Sequence, residues 1–160
     1  MKRIFWVFAI LFAFSTNVFA DDKNAFEGFY WNNDKSAIIE LRLSEDSIEG
    51  FTVWGPPETQ KDTKNPDKAL QKRNIIGLKF LSGFQYSEKS NRWTNGKVYD
   101  PKSGKTYDAK MELKNGGKTL EMRGYIGISI LGRTERFERV QPENIPIGLL
   151  NAVKSALSTG

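Results

Sequence analysis

Short segments in which apolar and polar residues alternate fill the middle of the chain, and this alternation constrains the fold more than any other feature. In 107–114 every odd position is apolar or aromatic and every even position is charged. At 119–123, Leu120 and Met122 alternate with Glu121 and Arg123. A period of two residues is typical of a strand with one buried and one solvated face. The chain is therefore predicted to be all-β.

Eight such segments are separated by short turn sequences rich in Gly, Asn, Asp and Pro. The predicted strands are 26–31, 36–43, 48–54, 78–86, 92–99, 105–114, 119–125 and 131–140. Sequential strands with short connections predict an eight-stranded antiparallel up-and-down barrel, because closure removes exposed edges. A two-sheet sandwich is the competing architecture. For the strand 48–54, two sets of residues compete for the inward-facing positions. One set is Ile48, Thr52 and Trp54, and the other is Phe51 and Val53.

The N-terminus has the pattern of a secretory signal peptide over residues 1–20. Lys2 and Arg3 precede an apolar run at 4–14, which is too short to span a bilayer, and Val18 to Ala20 offers a cleavage site. The mature chain would be a single domain at 21–160. Because the chain has no Cys, it can have neither disulfides nor a lipid anchor at that site. We expect an exported bacterial protein, periplasmic or secreted.

Two absences limit the chemistry. With no Cys and no His, the chain has no thiol nucleophile, imidazole base or zinc site of the usual ligands. Asp108 and Glu112 fall on the outer face of their strand, so an enzyme using carboxylates and tyrosines is the last of three hypotheses. We expect no enzymatic activity, catalytic residue, metal or cofactor. The net charge of +5 is spread among mixed signs, so we expect no nucleic-acid partner.

Two segments interrupt the strand pattern. Residues 55–77 form a long polar insert, read as a partly helical flap over one barrel end, with Asn65 as N-cap and Pro66 in the first turn. A plain solvated connector is the alternative. At about 145–158 the apolar residues recur at helical spacing, which predicts a C-terminal helix docked outside the barrel, or else a helix that binds a partner.

Aromatic side chains on the strands fill a solid core or line the pocket of a hollow barrel. In the second case, Arg and Tyr would orient the polar head of a ligand. The candidate ligand-binding residues are Trp54, Asn65, Trp93, Tyr99, Tyr107, Met111, Arg123, Tyr125 and Arg133.

Several motifs together resemble a family of small exported bacterial proteins whose function is unknown, over about residues 26–140. They are Trp54, Asn65-Pro66-Asp67, Gly77-Leu78, Trp93, Gly96, Val98-Tyr99-Asp100-Pro101, Ser103-Gly104-Lys105-Thr106-Tyr107, Arg123-Gly124-Tyr125 and Leu131-Gly132-Arg133-Thr134. The resemblance implies a lipocalin-like (calycin) barrel and no established catalytic residue.

The resemblance also implies structural roles at one barrel end. Lipocalins begin with Gly-x-Trp, and a basic residue of the last strand covers that indole. Here Gly28 is followed by Tyr30 at the expected Trp position and then by Trp31, so two rings compete for this role. Arg139, or else Arg136, would be the cover, through a cation–π contact.

Three functions remain open. The leading hypothesis is a non-enzymatic protein that binds a small hydrophobic or amphipathic molecule in its lumen. The second is an envelope interaction or inhibitor module that uses the outer surface or the flap. The enzyme hypothesis comes last.

Overall fold

The computed structural model describes residues 22–55, 61–144 and 146–149. Alternation, turn residues and β-branched or aromatic side chains produce one antiparallel sheet in this part of the chain. Its strands are β1 (Gly28–Trp31), β2 (Ile38–Ser44), β3 (Ser47–Trp54), β4 (Lys79–Ser82), β5 (Gln85–Ser87), β6 (Arg92–Asp100), β7 (Lys105–Lys114), β8 (Thr119–Tyr125) and β9 (Arg133–Arg139).

The sheet closes into an eight-stranded barrel. Its order is β4-β3-β2-β1-β9-β8-β7-β6-β5, and β4 also pairs with β6. β4 and β5 are two halves of the predicted strand 78–86, divided at Gly83, where φ is +70°. The predicted antiparallel barrel is confirmed, and the sandwich is excluded because β1 pairs with β9 and β4 pairs with β6, so that a single sheet closes on itself.

The connections define two ends. The described residues of the links 32–37, 55–78, 101–104 and 126–132 lie together, and we call this the open end. The links 45–46, 88–91 and 115–118 lie at the opposite end, which we call the closed end. A 3₁₀ turn at Lys23–Phe26 reaches the closed end, where Lys23 Nζ lies 3.4 Å from the carbonyl oxygen of Glu45.

The lumen is filled over much of its length by inward-facing side chains. The buried cluster consists of Phe26, Tyr30, Ile39, Leu41, Ile48, Leu81, Phe84, Trp93, Ala109, Met111, Leu120 and Met122. Each large apolar side chain buried in this way contributes about 1.5–3 kcal/mol. On β3, Ile48 and Thr52 face inward, because Thr52 pairs with the lumen residue Ile39.

A second apolar cluster covers the outer wall. Leu149 packs with Ile38 and Val140, beside Trp31 and Trp54. Residues 147–149 are helical, so a helix begins where the C-terminal periodicity predicts one and contacts the outside of the barrel. Most of the predicted helix 145–158, like the predicted signal peptide 1–20, lies outside the described residues.

The other regular elements in the described residues are short 3₁₀ turns. They lie at Lys68–Leu70, Glu88–Ser90, Ser129–Leu131 and Pro142–Asn144. The predicted cap in the flap is wrong by two residues. Asp67, not Asn65, is the N-cap, since its carboxylate accepts from the backbone N–H of Ala69. Asn65 Oδ1 instead accepts from the N–H of Asp67, while its amide nitrogen donates to the Asp62 carboxylate and to the Tyr99 hydroxyl.

Candidate functional site

The closed end is sealed by aromatic side chains. Phe26 meets the ring of Trp93 edge-on at 6.4 Å and that of Tyr86 at 6.3 Å. Trp93 and Tyr86 lie 5.1 Å apart. Phe26 and Trp93 are fully buried. This half of the lumen is a packed core.

Tyr30, not Trp31, occupies the inner position on β1. Arg139 from β9 lies over its ring, 4.6 Å from the centroid, and donates a hydrogen bond to its hydroxyl. That hydroxyl donates to the carbonyl of Phe26 at 2.8 Å. Burial raises the pKa of Tyr30 to about 12, against the opposing charge and hydrogen bond of Arg139. Arg139 is thus the cover that the sequence left open between two arginines.

Three small residues lie side by side across β6, β7 and β8, where Gly96 pairs with Ala109 and Ala109 with Gly124. A Cβ on Gly96 would lie 2.2 Å from the Phe84 ring, so that ring already fills the space. A Cβ on Gly124 would meet nothing nearer than 3.6 Å, the Cβ of Tyr107. The wall therefore carries no side chain at Gly124, and an added Cβ would have ordinary van der Waals neighbours there.

Half-buried and charged side chains surround Gly124. Val98 and Tyr107 pair with each other and both flank Gly124. On β9 the lumen-facing positions after Phe137 are Glu135 and then Arg133, which pairs with Gly124. We call the space bordered by Val98, Tyr107, Gly124 and Arg133 the mouth cup. Its floor is apolar and its rim is charged, an arrangement that suits a small amphipathic molecule.

A buried polar cluster fixes the flap beside the mouth. The fully buried carboxylate of Asp62 accepts hydrogen bonds from Tyr99 at 2.5 Å, Asn65 at 2.8 Å and Arg73 at 2.8 Å. The guanidinium of Arg73 also lies over the Tyr99 ring, 5.4 Å from its centroid. A Cβ on Gly104 would lie 1.9 Å from the carbonyl oxygen of Lys64, so the 101–104 turn fits tightly against the flap.

The electrostatics of this cluster follow from these bonds. Burial alone would raise the pKa of Asp62, but the hydrogen bonds from Tyr99, Asn65 and Arg73 outweigh it and hold that pKa below 3.8. Burial and the neighbouring carboxylate raise the pKa of Tyr99. The cluster is internally satisfied and serves to hold the flap, since every member has its partners within the protein.

Arg123 holds the loop between β8 and β9. Its Nε donates to the carbonyl of Ser129 at 2.8 Å, and its Nη atoms donate to Ile130 O and Thr134 Oγ1, each at 3.0 Å. A cavity of about 40 Å³ lies beside it on the outer wall, between Lys110 and Thr134. That volume suits a water molecule rather than an organic ligand.

The candidate ligand-binding residues separate into four groups. Tyr107 and Arg133 meet at the mouth cup, whereas Trp93 and Met111 belong to the packed core. Asn65 and Tyr99 belong to the flap cluster. Trp54, Arg123 and Tyr125 lie on the outer face, so the structure places them away from the lumen.

Trp54 faces outward because the pairing between β2 and β3 has a register shift. Thr52 pairs with Ile39 and Trp54 with Ile38, so Val53 is an extra residue that turns Trp54 outward. There its ring meets Trp31 edge-on at 5.5 Å. Arg123 lies outward by plain alternation with Met122, which the sequence already showed.

Asp62, Arg73 and Gly124 are the important residues that sequence reasoning missed. Asp62 and Tyr99 are 37 positions apart, and no local pattern links them. Gly124 could have been found, because a glycine at an inward position of an alternating strand marks a place without a side chain.

Comparison with known proteins places the chain in a family. The model of a family described as "Uncharacterized protein conserved in bacteria" (DUF2147) matches residues 28–139, more than half of the chain. The chain belongs to the DUF2147 family. The match spans β1 to β9, so the DUF2147 region is the barrel itself. None of the curated proteins compared matches the chain.

A solved structure supports the fold of this DUF2147 protein. Protein HP1028 from the human pathogen Helicobacter pylori, described as belonging to the lipocalin family, superimposes with a TM-score of 0.66 at 25% identity. The match covers 74% of this chain and 84% of that one. The predicted family and the predicted lipocalin-like barrel are thereby confirmed.

Among residues 22–55, 61–144 and 146–149, no group of three or more acidic side chains is arranged to hold a metal ion. In the same part of the chain, no helix has the length and apolarity to cross a bilayer.

Proposed function

We propose that this chain is an exported, non-enzymatic binding protein that holds a small, mostly apolar ligand in the mouth cup. The observation that carries the proposal is the inward-facing Gly124, which adds no side chain to the wall above a floor of buried apolar residues and beside Arg133. Apolar burial would supply about 25 cal/mol per Å², and Arg133 or the Tyr107 hydroxyl would face the polar part of the ligand. The lipocalin-like fold supports a binding role.

The packed closed end limits the ligand. Trp93, Phe84 and Phe26 occupy the half of the lumen nearer the closed end. The ligand must therefore fit in the half nearer the open end and keep its polar group at the rim.

The experiment is a titration with an apolar fluorescent dye on three proteins. Gly124→Val adds carbon atoms inside the cup, at a position where a Cβ meets only ordinary van der Waals contacts. Thr106→Val is the control, since Thr106 is exposed and pairs with Tyr99 outside the cup. We expect Gly124→Val to weaken dye binding by about tenfold or more and the control to bind normally. Equal binding by all three would contradict the proposed site.

Export is part of the proposal and has its own test. The basic residues Lys2 and Arg3, the apolar run at 4–14 and the cleavage pattern at Val18 to Ala20 support it. The intact mass of the protein recovered from its native host should correspond to a chain that begins at Asp21. A recovered chain that still carries residues 1–20 would contradict it.

The second candidate function is an envelope interaction or inhibitor module that uses the flap. It is favoured by the buried Asp62 cluster, which holds the flap while Leu70 and Ile76 stay exposed. Cross-linking of the wild-type chain in its native compartment, compared with Leu70→Ser, would test it. A partner cross-linked equally by both would show that this surface is not used.

A further inference from the structure

The loop at 126–132 exposes large aliphatic side chains at the open end. Ile126, Ile128, Ile130 and Leu131 are between 61% and 79% exposed. The loop contains no charged residue and no proline. Single exposed apolar residues are common on protein surfaces, but four in six consecutive positions mark an interaction site.

The loop is held in this exposed arrangement. Arg123 donates hydrogen bonds to the carbonyls of Ser129 and Ile130. At the base of the loop, a Cβ on Gly132 would lie 2.5 Å from the carbonyl oxygen of Gly124. These contacts fix the backbone while the aliphatic side chains remain outside the core, so their exposure does not result from a loose connection.

Charge is distributed unequally between the two ends of the barrel. In the described links of the open end (32–37, 61–78, 101–104 and 126–132) there are seven basic and three acidic residues. At the closed end (22–27, 45–46, 88–91 and 115–118) there are three basic and five acidic residues. The exposed Lys64, Lys68 and Lys72 of the flap contribute to the positive end.

We propose that the open end docks on an anionic lipid surface, with loop 126–132 inserting its aliphatic side chains and the flap lysines facing the headgroups. An apolar loop at the same end of the barrel as an excess of basic residues matches a surface that has negative charge outside and hydrocarbon beneath it. The positive open end favours this occupant over a second copy of the chain, whose open end would carry the same charge. The inference does not depend on the ligand-binding proposal.

The absence of Cys allows a direct test on the full chain. Ile128→Cys places a single thiol in the loop, and Ser90→Cys places one at an exposed closed-end position. Each is labelled with an environment-sensitive fluorophore and mixed with vesicles of phosphatidylglycerol and phosphatidylcholine, or of phosphatidylcholine alone. We expect a blue shift and shielding from an aqueous quencher at position 128 with the anionic vesicles, and no such change at position 90.

Three outcomes overturn the proposal. The first is no shift at position 128 with anionic vesicles. The second is an equal shift at both positions, which would indicate attachment through another part of the chain. The third is a shift without vesicles that grows with protein concentration, because a second copy would then cover the loop.

Two double variants, one at each end of the barrel, test the electrostatic part of the membrane-docking proposal. Lys68→Gln with Lys72→Gln removes two charges at the open end, and Lys89→Gln with Lys118→Gln removes two at the closed end. All four lysines are exposed. We expect the first pair to weaken binding to anionic vesicles by about tenfold and the second to leave it unchanged. Equal effects of both pairs would overturn the proposed orientation.

Discussion

The guanidinium of Arg139 lies over the ring of Tyr30 at 4.6 Å and joins the last strand to the first. The same group donates to the carbonyls of Glu27 at 2.7 Å and Gly117 at 2.8 Å, and to that of Ala25. One side chain therefore connects the N-terminal turn, β1 and the 115–118 turn. The contacts of Arg139 thus tie these segments together at the closed end of the barrel.

We expect Arg139→Lys to lower the free energy of unfolding by about 2–4 kcal/mol. A lysine keeps the charge but cannot reach four acceptors with a fixed planar group. Urea unfolding provides the measurement. The control is Arg136→Lys, which alters an exposed ion pair with Glu121 and should cost less than about 1 kcal/mol. Equal losses in the two variants would refute the special role of Arg139.

The position of the Arg139 guanidinium also favours a glycine at position 28. The φ of Gly28 is +133°, and a Cβ there would lie 2.7 Å from Arg139 Nη1. We expect Gly28→Ala to cost about 1–3 kcal/mol from backbone strain and this clash. In the Arg139→Lys background the cost should be smaller by about 1 kcal/mol, because the clash is relieved. Strict additivity in this double-mutant cycle would argue against the contact.

Asp62 should make stability depend on acid pH. Its pKa is lowered in the folded chain, so its contribution is fully present above the unfolded value of about 3.8 and is lost as pH falls through the lower folded pKa. We expect Asp62→Asn to be less stable than wild type at neutral pH. The difference between the two chains should narrow as pH falls below 3.8. Urea unfolding of both chains across that pH range measures this difference in stability. A difference that does not change with pH would contradict the lowered pKa of Asp62.

Tyr30 should make stability depend on alkaline pH, because its pKa is raised and not lowered in the folded chain. Its folded pKa is raised from 10.0 to about 12, so the stabilisation is present below pH 10 and is lost as pH rises towards about 12. Tyrosinate absorbance of the native chain should show a tyrosine that ionises near the upper value. Tyr30→Phe should remove that step. If the step remains in Tyr30→Phe, another tyrosine is responsible.

The barrel could be predicted from the sequence because its signal is local. Alternation in β7 and β8 correctly assigned Met111, Leu120 and Met122 to the inside. The split of the fourth strand at Gly83 and the outward turn of Trp54 could not be predicted. Both depend on register with a neighbouring strand, which alternation within one strand does not record.

The candidate site was predicted less well, for a related physical reason. Tyr107 and Arg133 reach the mouth cup, but the other aromatic and basic candidates serve the core, the flap or the outer wall. Aromatic type indicates burial and does not distinguish a filled lumen from a hollow one. The Asp62 cluster joins the flap to β6 by hydrogen bonds between distant positions, which only the folded chain brings together.

Ligand binding in the mouth cup is tested most directly by native mass spectrometry of the protein recovered from its native host. The wild-type chain should carry a discrete extra mass that organic extraction removes, and Gly124→Val should carry none while remaining folded. A bare mass for the wild-type chain, or the same extra mass on Gly124→Val, would contradict binding at this site.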